Sequence, residues 1–189
     1  MKLKGALHVH STCSDGQLSV ADVLATYAGL GFDFVALTDH DFLLRDDCYR
    51  KALRGVSSEL LVLEGVELTV FERGYWHVGR IQGDHEVLHI LNHPADLDLP
   101  LEKVLQRLET VRERVPVDAI EITSKGFYTP EFDVPAVPYP KVATDDSHHR
   151  QGCGRAWVEL DCQRDKDAIL RAIKRGEHCN VFHGGLVSR

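Results

Sequence analysis

Hydrophobic and polar residues follow strand and helix periods in turn through the opening of the chain. Residues 3–10 alternate and lead into the turn Ser14-Asp15-Gly16, which predicts a strand that enters a loop. A helix is predicted over 19–30, because a capping sequence precedes its apolar stripe and a glycine follows it. The apolar run 32–37 predicts a short buried strand that ends at Thr38-Asp39-His40. Polar residues therefore follow both predicted strands.

The rest of the chain continues this alternation, with consecutive strands in its middle. Apolar residues at helical spacing predict an amphipathic helix over 100–114, and the prolines between 130 and 140 indicate a loop. This order predicts an α/β fold, a barrel or a parallel sheet, with its chemistry at the C-terminal ends of the strands. The other predicted helices are 44–55 and a stretch from Ala168 that ends at Gly176, and the other predicted strands are 60–63 (ending near Glu67), 76–81, 86–92, 117–122, 141–144 and 155–160.

Composition narrows the class of protein. The 189 residues are 43% hydrophobic and 27% charged, which fits one globular domain over 1–189. The formal charge of −7 argues against nucleic-acid binding by bulk electrostatics. The absence of a long apolar run argues against a membrane span, and the start of the chain is too short and polar for a signal-peptide core. Five cysteines without CxxC spacing argue against a disulfide framework and for a reduced, cytoplasmic setting.

The chain contains eleven histidines, and several lie where strands are predicted to end. His8 and His10 lie two apart and so share one face of a strand, where two buried imidazoles are costly without partners. Histidines and carboxylates at successive strand ends suit Zn, Mn or Fe, and a bridging carboxylate allows two cations about 3.5–4 Å apart. The candidate metal ligands are His8, His10, Asp15, His40, Glu67, His77, His93, Asp146 and His148.

The residue pattern leaves some of the candidate ligand positions undecided. His85, His89 and His93 share a face of a strand or of a helix, so spacing alone does not choose His93 over His89. The doublets Asp145-Asp146 and His148-His149 allow two registers. Of the remaining histidines, His85, His149 and His178 are interpreted as ordinary solvated residues or as neighbours of the ligands.

Several ordered motifs resemble those of the PHP (polymerase and histidinol phosphatase) superfamily. The segment from Leu7 to Gly16 resembles the opening HxHxxxSDG motif of that family. Together the motifs span nearly the whole chain, and their joint occurrence in order is far more specific than HxH alone. The further matches are Phe34 to Asp41, a strand that ends in TDH, Gly65-Val66-Glu67, Asn92-His93-Pro94, Asp146-Ser147-His148 and the tail from Gly154 to Trp157 with Gly184-Gly185 near the end.

The resemblance implies a distorted (β/α)7 barrel with two or three divalent metal ions at its mouth. By motif, one metal would be held by His8, His10, Glu67 and Asp146. Glu67 would bridge to a second, held by His77 and His93, and a third would be held by Asp15, His40 and His148.

The resulting hypothesis is a metal-dependent phosphoesterase that hydrolyses a small phosphorylated substrate through a metal-bound hydroxide. Arg150, Lys125 and Arg155 are candidates for binding its phosphate. Asp15 or His40 would serve as the acid for the leaving group if the third metal is absent.

Three alternatives remain. A nuclease or proofreading-type hydrolase would use the same chemistry on a nucleic-acid end, although the acidic composition counts against it. A catalytically idle regulatory domain would keep its metals for stability. A hydrolase of non-phosphate substrates is also compatible, because a fold does not fix a function.

Overall fold

The central element of the fold is a curved β-sheet. The computed structural model describes residues 1–45, 47–54, 58–184 and, for the backbone alone, 187–188. The α-helices are α1 (Val20–Gly29), α2 (Cys48–Ala52), α3 (Leu101–Arg112) and α4 (Lys166–Lys174). The strands are β1 (Lys2–Val9), β2 (Phe34–Leu37), β3 (Leu61–Phe71), β4 (Tyr75–Gln82), β5 (Val87–Leu91), β6 (Ala119–Glu121), β7 (Thr123–Ser124), β8 (Phe127–Tyr128), β9 (Lys141–Val142), β10 (Ala156–Asp161), β11 (Cys179–Phe182) and β12 (Val187–Ser188).

Within the described residues, ten of these strands form one sheet in the order β12-β11-β10-β1-β2-β3-β4-β5-β6-β9. β1, β2 and β3 are parallel, β4 runs antiparallel between β3 and β5, and β5, β6 and β9 are parallel. The chain after β9 returns to β1, where Val9 and Ser147 form a parallel bridge and the His10 N–H donates to the Ser147 carbonyl at 3.0 Å. The sheet is therefore a nearly closed, distorted barrel, which confirms the predicted fold class.

The pairing of β1 with β2 contains a register shift between Ala6 and Val9. Leu3 and Leu7 pack with Phe34 in the apolar interior, whereas Ala6 before the shift and Val9 after it both pack on the side that carries α1. The bulge thus changes which side chains face inward, as bulges in strands do. His8 and His10 follow it and meet the other candidate ligands at the mouth.

Several predicted elements differ in extent. The helix predicted over 44–55 is only α2, and of the predicted span residues 46 and 55 lie outside the described residues. The strand predicted to end near Glu67 continues to Phe71, where the chain turns into β4. Its pairing with β4 extends the strand beyond the mouth of the barrel. The hairpin of β7 and β8 is an addition to the prediction, because strands of two residues leave no periodic signal.

The expectation that the cysteines form no disulfide is wrong for one pair. Cys13, in the turn after β1, is bonded to Cys48 at the start of α2, with their Cα atoms 5.7 Å apart. The two positions are 35 residues apart in the sequence, so only the tertiary packing of α2 against the turn reveals the pair. Cys153, Cys162 and Cys179 are free thiols. No helix among the described residues is long and apolar enough to cross a membrane.

Candidate metal centre

All nine candidate ligands lie together at the mouth of the barrel. The parallel strands deliver most of theirs at or after their C-terminal ends, Glu67 lies within β3, and β4, which runs the other way, delivers His77 from its start. The ligands form four overlapping groups in which the ligand atoms lie within 4.8 Å of one another. These groups are His10-Asp15-His40-His148, His8-His10-Asp146, His8-Glu67-His93 and His40-Glu67-His77.

Glu67 is buried at the centre of these groups, and its two oxygens face different partners. Oε1 lies 3.1 Å from His93 Nε2 and 3.5 Å from His77 Nδ1. Oε2 lies 2.9 Å from His40 Nδ1 and 3.4 Å from His10 Nε2. A carboxylate that presents one oxygen to each of two ligand sets has the geometry of a bridging ligand in a two-metal site.

The inner side of the cluster is formed by buried side chains. His8 Nε2 lies 3.0 Å from His10 Nε2 and 3.4 Å from Asp146 Oδ1. His10 Nε2 lies 3.3 Å from the same Asp146 oxygen. Asp146 itself has a φ of 43°, an uncommon conformation for a non-glycine residue, which brings its carboxylate to the two imidazoles.

The outer side of the cluster gathers around Asp15, whose side chain is 41% exposed. Its carboxylate lies 3.6 Å from His10 Nδ1, 3.6 Å from His40 Nε2 and 3.5 Å from His148 Nε2. His10 therefore touches both sides, through Nε2 inward and Nδ1 outward.

Buried Asp39 organises the loop that carries Asp15. It accepts hydrogen bonds from the backbone N–H groups of Ser11 and Ser14 at 2.9 and 2.8 Å. The hydroxyl of Tyr49, on α2, donates to Asp39 at 2.7 Å. Gly16 completes the turn, because a Cβ there would lie 2.6 Å from the His10 backbone. These contacts explain why the loop needs its serines and glycine at fixed positions.

Two residues at the site were not among the sequence candidates. The Asn92 amide donates to Glu67 Oε1 at 2.8 Å, and Glu121 lies 3.2 Å from His8 Nδ1. Asn92 stands beside His93 in the quoted motif, and Glu121 is the last residue of β6, one position before the end of the strand predicted over 117–122. A carboxylate at a strand end was the signal that could have found Glu121.

The cluster carries buried polar atoms without hydrogen-bond partners among the described residues, including His10 Nδ1 and Asp146 Oδ1. Such orphaned atoms are costly unless another group satisfies them. Imidazole nitrogens and carboxylate oxygens are the donors that Zn, Mn and Fe accept. The residues present therefore fit divalent cations.

The charges in the cluster depend on one another. Burial alone would raise the pKa of Glu67, but His8, His40 and His93 hold it well below its usual range. Burial would lower the pKa of His93, yet its hydrogen bond to Glu67 raises that pKa to about 9. Protonated imidazoles would therefore offset the charge of the carboxylates when no metal is bound, and binding of a metal would release such protons.

The structure shows which of the residues left open by the sequence lie in the cluster and which do not. Asp146 and His148 join the cluster, whereas Asp145 accepts from the Tyr27 hydroxyl at 2.7 Å and from the Gly154 N–H at 2.6 Å. His93 joins the cluster, whereas His89 Nδ1 lies 3.4 Å from an Asp118 oxygen. Of the three other histidines in question, His85 donates its backbone N–H to Asp167 and His178 Nε2 donates to the Lys141 carbonyl at 2.7 Å, whereas His149 lines a cavity with Asp146 and His148.

The three candidate phosphate-binding residues do not lie together. Lys125 and Arg155 line a cavity of about 220 Å³ together with Asp146 and His148. The Arg155 guanidinium donates to the Lys125 carbonyl at 3.2 Å, at the turn between β7 and β8. Arg150 is exposed and does not line this cavity.

The model of the PHP domain matches residues 6–130, which is more than half of the chain. The chain belongs to the PHP domain family. Its match to the DNA polymerase/3'-5' exonuclease PolX of Bacillus subtilis is 27% identical over 142 residues, which cover 63% of this chain and 23% of that protein. The chain thus spans less than a quarter of that relative's length.

Solved structures share the PHP fold at low identity. A two-domain protein from Bacteroides vulgatus containing a predicted PHP-like metal-dependent phosphoesterase has a TM-score of 0.69 at 20% identity, over 97% of this chain and 65% of that one. An amidohydrolase from Chromobacterium violaceum with bound sulfate and no metal has a TM-score of 0.67 at 14% identity, over 94% and 97% of the two chains.

Proposed function

We propose that the protein is a metal-dependent phosphoesterase that hydrolyses a small phosphorylated substrate at a site with two or three metals. The observation that carries this proposal is the central position of Glu67, which presents one oxygen to each of two imidazole sets among orphaned buried atoms. When bound, divalent cations lower the pKa of a water molecule and offset the charge that develops on phosphoryl oxygens. Mn, Zn and Fe all suit this donor set.

His8, His10, Glu67 and Asp146 would hold the inner cations, with His77 and His93 completing the second position. Asp15, His40 and His148 would hold a third cation. Where that cation is absent, His40 is suited to protonate the leaving group. Burial would lower the pKa of His40, but the contact with Glu67 raises it, which favours the protonated ring that a general acid requires. Asp15 is the second candidate for this role.

Lys125 and Arg155 would bind the substrate phosphate from the cavity beside Asp146 and His148. Arg150, which lies outside that cavity, serves as the matched control. With a phosphorylated substrate, Lys125→Met should raise KM by about tenfold, the usual cost of one charge-assisted hydrogen bond. Arg150→Met should leave KM unchanged, and an equal change in both variants would contradict the subsite.

The test of the proposal is a panel of phosphorylated metabolites assayed with Mn, Zn and Fe supplied in turn. We expect hydrolysis of at least one phosphate ester that is lost with chelator and restored by metal. Stoichiometric metal without hydrolysis of any phosphoester would contradict the proposal and favour the idle regulatory domain.

A nucleic-acid end is the second candidate substrate, favoured by the match to a polymerase and 3'-5' exonuclease. The formal charge of −7 counts against it. Comparing a small phosphate monoester with single-stranded DNA, at low and moderate salt, separates the two.

Two further predictions accompany the function. One domain over residues 1–189 and a cytoplasmic location remain predictions from the sequence. The Cys13–Cys48 disulfide removes the cysteine argument for a reducing compartment.

A further inference from the structure

Glu121 is a fully buried carboxylate at the end of β6, outside the nine-residue cluster. Its oxygen Oε2 lies 3.2 Å from His8 Nδ1 and accepts the His93 backbone N–H at 3.1 Å. One oxygen therefore holds a ligand from β1 and a ligand that follows β5.

The other oxygen of Glu121 is held just as firmly. Oε1 accepts the Thr144 hydroxyl at 2.6 Å and lies 2.9 Å from the Thr123 hydroxyl. Because donors surround both oxygens, the carboxylate is fixed in one orientation at the floor of the site. A buried carboxylate with such a set of donors is a rigid acceptor for His8.

The contact with His8 determines which ring nitrogen faces the cluster. With Nδ1–H donating to Glu121, the lone pair of Nε2 is left for the cluster, where Nε2 lies 3.2 Å from Glu67 and 3.4 Å from Asp146. Histidine ligands of metals commonly donate their second nitrogen to a carboxylate in this way.

The contact with His93 stabilises an uncommon backbone conformation. His93 has a φ of 27°, which non-glycine residues rarely adopt, and Pro94 follows it directly. The hydrogen bond to Glu121 holds the His93 N–H, so that Nε2 of its ring reaches Glu67 at 3.1 Å.

We propose that Glu121 is a positioning residue that fixes the Nδ1–H tautomer of His8 and the backbone of His93, and so prepares both for metal. This inference rests on the proposed metal binding. Glu121 itself does not contact the metal or the substrate.

Glu121→Gln is the test variant, because glutamine keeps the shape of the side chain and removes the negative charge that makes the carboxylate a strong acceptor for His8 Nδ1–H. Glu64→Gln, at an exposed glutamate of β3, is the matched control. We expect Zn affinity, measured by competition with a chelator, to fall about 10–100-fold in Glu121→Gln and to stay unchanged in Glu64→Gln.

The second readout is nitrogen NMR of the His8 ring, which a purely structural role would leave unchanged. In Zn-loaded wild-type protein we expect a slowly exchanging His8 Nδ1–H, and in Glu121→Gln a weakened or lost signal. Wild-type affinity together with an unchanged His8 signal in Glu121→Gln would overturn the inference.

The same spectrum separates this inference from the proposed function. If wild-type protein takes up no zinc, the proposed function fails. The metal-free His8 ring, at a pH where it is neutral, still tests Glu121: loss of the Nδ1–H preference in Glu121→Gln supports positioning, and the same tautomer in both proteins contradicts it.

Discussion

The inner and outer sides of the cluster are built differently. The inner side is anchored on strands and buried, with His8, Glu67 and Asp146 each less than 10% exposed and Glu121 beneath them. The outer side gathers around Asp15 on a loop, where the Asp15 side chain is 41% exposed and that of His148 is 30% exposed. The inner side is preorganised by the barrel, whereas the outer side depends on how its loop is held.

What holds the outer loop is a set of contacts to α2 and β2. Asp39 follows β2 and binds the loop through Ser11 and Ser14, and Tyr49 connects Asp39 to α2. The Cys13–Cys48 disulfide joins the same loop to the same helix. A change in α2 should therefore affect the outer ligands more than the inner ones.

The largest effect should come from the inner side. Asp146→Ala or His10→Ala should leave a folded protein in which metal content falls sharply and phosphoesterase activity falls at least about 100-fold, because a direct ligand matters more than an outer partner. Metal analysis, circular dichroism and a turnover assay measure this. Full metal content and full turnover in both variants would refute the assignment.

A smaller and selective effect is expected on the outer side. Asp15→Asn removes the carboxylate that faces three imidazoles, so the most weakly held metal should be lost while the inner equivalents stay. Equilibrium dialysis of wild-type and variant proteins gives the stoichiometry. Loss of all metal in Asp15→Asn would show that the two sides do not bind independently.

The disulfide should affect the outer side more than the inner side. Cys48→Ser removes a cross-link that closes a loop of 35 residues, which should lower the free energy of unfolding by about 2–4 kcal/mol. We expect the outer metal to bind several-fold more weakly. Cys162→Ser, at a free cysteine, is the control, and equal results for the two variants would argue against any role for the cross-link.

The mildest test is the pH dependence of metal binding. Burial would lower the pKa of His93, but its hydrogen bond to Glu67 raises that pKa to about 9. The folded protein without metal therefore keeps a proton on this ring at neutral pH. Zinc must displace that proton, and its apparent affinity should rise as pH increases from neutral to about 9 and then level off. Calorimetry in buffers of different ionisation enthalpy measures the released protons, and uptake without release would contradict this.

The sequence predicts the inner side well because its ligands repeat a physical pattern. His8 and His10 share a strand face and His93 ends an apolar run, so periodicity and strand order place them at one end of the sheet, although spacing alone does not separate His93 from His89. Glu67 was predicted near the end of a strand, although it lies within β3 rather than at its end.

The supports of the cluster could not be predicted in the same way. Glu121 stands near a predicted strand end, but periodicity does not distinguish a buried glutamate from a solvated one. Neither its contacts with His8 and His93 nor the contact of Asn92 with Glu67 can be read from spacing. The Cys13–Cys48 bond depends on the packing of a short helix, and β7 and β8 are too short for a pattern. Such features become visible only when distant segments are placed in space.

The central claim is that Glu67 bridges metals at this site, and anomalous diffraction from crystals grown with Mn tests it most directly. We expect two peaks, one beside each Glu67 oxygen and about 3.5–4 Å apart, with any third peak near Asp15. Well-ordered crystals with no anomalous peak at Glu67 at saturating Mn would contradict it.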